Sequence, residues 1–242
     1  MKSKGYLRFC NRIQYFKADS ELIEMLLINK ELLAGTNKIF NGITVADQPI
    51  ISAYANTPHA RKLAITHLRT SLYVSYIKEI YEEVTEYLRY ALEHCAKNGA
   101  NINRLVGEQK VSFDANFLLS THSFDAIARA VTDSIFQQLE NEKSTLDLIK
   151  KINTKLDLQV PENIINEALP YLLIRHIYVH SDGKPKKEFK DAYPFLRING
   201  KGRIELTKEI IANAKTNIET LLNTIDQKIL AKGFFPDKET QA

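Results

Sequence analysis

The sequence predicts an all-α fold: an antiparallel helical bundle with a long central helix and one small β-hairpin. Glycine and proline are scarce, 9 and 7 in 242 residues, which argues against collagen-like, linker-rich and turn-dense many-stranded chains. Apolar residues return at every fourth position over 58–98, the period of one helix face. Capping residues and glycines bracket most of the apolar segments, as helix ends require. With 44% hydrophobic residues the chain can bury one sizeable core. The division expected is a single domain over 1–242, with an N-terminal helix and loop at 1–57, a core bundle at 58–232 and a frayed tail at 233–242.

The segment 19–35, DSELIEMLLINKELLAG, opens on capping residues, carries Leu22, Ile23, Leu26 and Leu27 at helical spacing, and stops at Gly35. Residues 35–57 lose that period among Asn37, Asn41, Gly42, Asp47, Pro49 and Asn56, which predicts a long ordered loop or a short extended excursion. Thr57 can cap and Pro58 suits a first helical turn, where its missing N–H costs nothing. The helix that follows runs to about Asn98, with Leu68, Leu72, Tyr76, Ile80, Val84 and Leu88 as its stripe and Ile65, Tyr73, Ile77 and Tyr81 widening it. Tyrosines at this spacing are core rather than a base-stacking platform.

Residues 98–112 are polar and read as a loop, after which Ser123 begins a helix to about Asn141 and Ser144 caps a shorter one. After Pro161, ENIINEALPYLLIRHIYVHSDG reads as a helix ending near Ser181, with Pro170 a kink or a second start and Gly183 the terminator. FLRINGKGRIEL, residues 195–206, alternates around Asn199-Gly200 and predicts a short hairpin. Thr207 caps the last helix, which Gly233 ends.

The net charge of +4 is too small for a general basic field to specify a nucleic-acid partner, so any such partner must be inferred from a local site. Cys10 and Cys95 lie far apart, without metal-ligand spacing or a disulfide framework, and read as reduced thiols. The longest uninterrupted apolar stretch, residues 168–174, is far shorter than a membrane span, and the first ten residues hold no signal-peptide run. A cytoplasmic protein without a membrane partner is expected.

The chemistry gathers at RHIYVH, where Arg175, His176 and His180 interrupt an otherwise apolar helix. At about 100° per residue the two imidazoles fall about 40° apart on one face, and Arg175 falls about 140° from His180. Its long side chain can wrap toward His180 or reach the same helix of a second subunit. These residue types suit RNA cleavage. A neutral imidazole, His180, takes the proton of a ribose 2′-hydroxyl. Arg175 holds the phosphate and the charge developing on it, and His176 supports them. Attack by the 2′-oxygen leaves a cyclic phosphate, needs no metal or other cofactor, and restricts the substrate to RNA.

Arg175, the polar His176 and His180 resemble the Arg-polar-x3-His signature of HEPN domains. RHIYVH is similar to the extended Arg-His-x-x-Val-His form of larger bacterial members. The resemblance extends over about 58–232. It implies a homodimer in which two motifs share one cleft, a metal-independent endoribonuclease, and a role as a toxin or anti-phage defence effector. Members paired with a nucleotidyltransferase antitoxin often carry a tyrosine two residues beyond the histidine. Asp182 stands there instead, so regulation through such a tyrosine is not implied, and another antitoxin or regulator stays open. Other members are non-catalytic dimerisation, nucleotide-binding or RNA-binding modules, which is the alternative reading.

Lys184, Lys186, Lys187 and Lys190 follow the motif directly and are candidate contacts for RNA phosphates; a solvated loop accounts for them equally. Arg197, Lys201 and Arg203 on the hairpin are weaker candidates of the same kind. His176 and His180 also have the spacing of two zinc ligands on a helix, but the adjacent glutamate, nearby cysteines and a third ligand are missing. No metal is expected. His59, His67, His94 and His122 are scattered and read as caps, helix surfaces or satisfied core positions.

Overall fold

A computed structural model describes residues 1–29, 58–141, 144–236 and 239–241. Within them the chain is predominantly helical: α1 (Lys4–Ile28), α2 (Pro58–Lys97), α3 (Ile102–Val106), α4 (Ala115–Ser120), α5 (Phe124–Glu140), α6 (Thr145–Lys155), α7 (Glu162–His180), α8 (Lys187–Ala192) and α9 (Lys208–Ala231). The expected stop at Gly35, the connection over 35–57 and the Thr57 cap lie outside the described residues.

α2 is the hub, packing against α1, α5, α7 and α9. Its stripe buries Tyr73, Tyr76, Ile77, Ile80, Val84, Tyr87 and Leu88, and each large side chain so enclosed contributes roughly 1.5–3 kcal/mol. The stripe begins later than its spacing suggests. Leu68 is 54% exposed, and Leu72 is only half-buried, within a small cluster that Ile23 of α1 forms with Ile65. The expected caps are in place, with Ser123 Oγ accepting from the Ala126 N–H, Ser144 Oγ from Asp147 and Thr207 Oγ1 from Ile210.

Several readings change. The first helix begins at Lys4 rather than Asp19, because Ser3 supplies the cap by accepting from the Tyr6 N–H, and Tyr6, Phe9 and Ile13 face the core. The polar stretch 98–112 contains the short helix α3, capped by Asn101. The hairpin is reduced to a single bridge, Ile198 to Ile204, closed by Asn199 N–H donating to Arg203 O. The turn is thus wider than Asn199-Gly200 alone.

The tail, expected to fray, is tied down at its described residues. β2 (Thr240–Gln241) pairs antiparallel with β1 (Lys2–Ser3), and Phe235 is buried against Tyr90 and His94. No described helix is long and apolar enough to cross a membrane.

Candidate functional site

Seven buried residues of α7, from Ile165 to Ile174, insert it among α2, α6 and α9. The helix continues through Pro170, so there is no second start there. Its first turn and a half is largely solvent-facing, and its last turn and a half emerges again from the core; the motif occupies that last stretch. Ile174 is fully buried, Arg175 is half-buried, and His176 and His180 are exposed.

The exit from α7 is built by the residues after it. Ser181 and Gly183 both donate backbone N–H groups to Ile177 O, and Gly183, at φ 76°, takes the left-handed conformation that turns the chain back. A Cβ at Gly183 would lie 2.8 Å from the Tyr178 ring, so glycine is needed for space as well as for φ. Ile204 then locks the turn onto the helix. Its N–H donates to Gly183 O at 2.9 Å, and its carbonyl accepts from Tyr178 Oη at 2.5 Å. Arg203 pairs with Asp182 across the same joint. Burial pushes the Tyr178 hydroxyl up to about 12, so it stays a hydrogen-bond donor.

The two imidazoles come together, with ring centroids 4.4 Å apart and planes tilted 45°. His176 is held below the usual histidine range, first by partial burial and then by the nearby His180 and Arg175 charges. Arg175 is engaged elsewhere. Its guanidinium lies 4.6 Å from the centroid of the Tyr81 ring on α2, a cation–π contact, and its Nε is buried without an acceptor among the described residues. The spacing pointed to the histidine pair but not to Tyr81, which it gave only as part of the helix stripe.

The chain matches no protein-family model, no curated protein and no solved structure.

The four lysines after the motif are exposed, and two of them, Lys187 and Lys190, sit on α8, an element absent from the sequence reading. Lys186 precedes α8, Lys187 opens it and Lys190 lies in its last turn, while Phe189 packs inward. None of the four, and none of Arg175, His176 and His180, lines the cleft of about 870 Å³ beside the exit of α7. Its cations come instead from α2 and from the turn. No cluster of three or more metal-ligating side chains occurs among the described residues.

Proposed function

We propose that the protein is a metal-independent endoribonuclease of HEPN type, a toxin or defence effector acting as a homodimer through the exposed end of α7. The carrying observation is the close pair of exposed imidazoles, His176 and His180, at the end of a buried helix with Arg175 beside them. In the reaction the ribose 2′-oxygen attacks the adjacent phosphorus and gives its proton to His180. The bond from phosphorus to the 5′-oxygen breaks, and that oxygen takes a proton from a second imidazole or from water. The products are a 2′,3′-cyclic phosphate and a 5′-hydroxyl. The lowered proton affinity of His176 fits its supporting role. A neutral His176 does not repel the proton arriving on His180. Arg175, the fixed cation of the motif, is the phosphate binder, and Lys184, Lys186, Lys187 and Lys190 hold the flanking strand.

The test is incubation of the purified protein with RNA in EDTA. Cleavage is expected to survive chelation, to leave cyclic phosphate ends, and to disappear in Arg175→Ala and in His180→Ala. Cleavage that vanishes with EDTA, or that persists in both variants, overturns the mechanism.

A second reading, a non-catalytic dimerisation or nucleic-acid-binding module, is favoured by the stacking of Arg175 on Tyr81. Here Arg175 braces α7 against α2. Arg175→Lys keeps the charge and loses the planar stack; this reading expects lower stability in that variant and a wild type that never cuts RNA.

A further inference from the structure

The cleft beside the α7 exit has a composition that the motif does not explain. Among the described residues four fixed cations line it, Arg69 and Lys78 from α2 and Lys201 and Arg203 from the turn, against two carboxylates, Asp182 and Glu205. Arg69 and Arg203 each have one carboxylate neighbour, Glu24 at 3.8 Å and Asp182 respectively, and each retains a buried Nε without an acceptor. Lys78 and Lys201 have no ion pair among the described residues. The α2 wall adds hydroxyls in two states. Thr66 and Thr70 donate to helix carbonyls, which leaves their oxygens as acceptors, while Ser71 and Ser75 have no internal partner among the described residues. Val74 and Ile204 supply apolar wall, and Tyr178 presents its ring because its hydroxyl is engaged by Ile204.

We propose that this cleft binds the phosphates of a nucleotide, either free or within an RNA strand. Surplus ammonium and guanidinium donors match the several acceptor oxygens of a phosphate. Threonine oxygens match ribose hydroxyls, and the apolar wall matches a base. A volume of about 870 Å³ accommodates an organic ligand of that size. The proposal uses neither His176 nor His180 and does not depend on cleavage.

Binding of ATP, adenosine, inorganic phosphate and a 2′-O-methylated single-stranded RNA of about ten nucleotides to the full chain tests it. The methylated strand cannot be cut by 2′-attack, so the result is independent of nuclease activity. Lys78→Glu/Lys201→Glu is expected to weaken the phosphorylated probes about ten-fold or more, with adenosine bound far more weakly than ATP. A charge-matched control, Lys4→Glu/Lys110→Glu, should bind as the wild type does. Should the double variant fail to fold, Lys201→Glu alone, at an exposed position of the turn, should show a smaller loss. ATP that competes with the strand identifies a free nucleotide as sufficient, whereas strand binding that ATP does not displace identifies RNA. Adenosine binding as tightly as ATP, unchanged affinity in the Lys78 and Lys201 variants, or no binding of any probe overturns the proposal.

Discussion

Two polar clusters, one inside the helical core and one at the exposed end of α7, differ in how fully their hydrogen-bonding capacity is used. Asp226 of α9 is completely buried and accepts from the Ser3 N–H at 3.1 Å, from Ser3 Oγ and from Tyr87 Oη at 3.0 Å. Ser3 Oγ also accepts from the Tyr6 N–H, so the same cluster caps α1 and anchors β1. At the end of α7, His176 and His180 are exposed and their nearest neighbours include each other. A polar group saturated from inside holds the fold together, whereas one that keeps donors and acceptors facing water can meet a substrate. The two clusters should therefore separate stability from activity.

The largest expected effect is on chemistry. His180→Ala should lower RNA cleavage by roughly 100- to 10,000-fold while leaving the thermal unfolding midpoint where it is, since the residue is exposed. A large drop in the midpoint would place the imidazole with the structural cluster and remove the contrast.

Asp226→Ala is the mirror experiment. It leaves three donors without their acceptor in a dry site, at a cost of about 3 kcal/mol or more, which for a chain of this size lowers the midpoint by on the order of 10 °C. Activity per folded molecule should be preserved. Denaturant and thermal unfolding, together with the RNA assay on the folded fraction, check both halves.

The same contrast explains what could be read from one dimension. Caps, periods and stops are local, and Ser123, Ser144, Pro161 and Thr207 bracket their helices where expected. The motif is local too, since Arg175, His176 and His180 lie within six residues. Asp226 looks like any surface carboxylate of an amphipathic helix until Ser3 and Tyr87 arrive from distant parts of the chain. For the same reason the tail reads as frayed although β2 pairs with β1 from the opposite end, and Arg175 gives no hint of Tyr81. The early part of α1 is not legible as helix because Gly5, a poor helix former, sits in its first turn, on the face that packing of Tyr6, Phe9 and Ile13 buries. The lysines after His180 have the opposite problem. Their sequence proximity to the motif does not bring them into the adjacent cleft.

Gly183→Ala probes the exit turn, which shapes the helix end that carries His176 and His180. With φ at 76° and a Cβ directed at the Tyr178 ring, alanine should destabilise by roughly 1–2 kcal/mol. Any loss of cleavage beyond the folded fraction would mean that the turn also orients His180. Tyr178→Phe, which removes only the hydrogen bond to Ile204 O, should cost about 1 kcal/mol and serves as the milder version of the same cut.

The smallest effect is a titration. His176 should protonate below its ordinary value of 6.5, chiefly because of partial burial and secondarily because of His180 and Arg175. Following its ring protons by NMR, His180→Ala should move the inflection part of the way back up, since one of the two charges is gone and the burial remains. Complete recovery would make His180 rather than burial the leading cause. The sign for stability follows from the same ordering. The folded protein takes this proton less readily than the unfolded chain, so His176 begins to disfavour folding as pH falls through 6.5 and adds nothing further once pH is below its folded value. Its exposure keeps that contribution small.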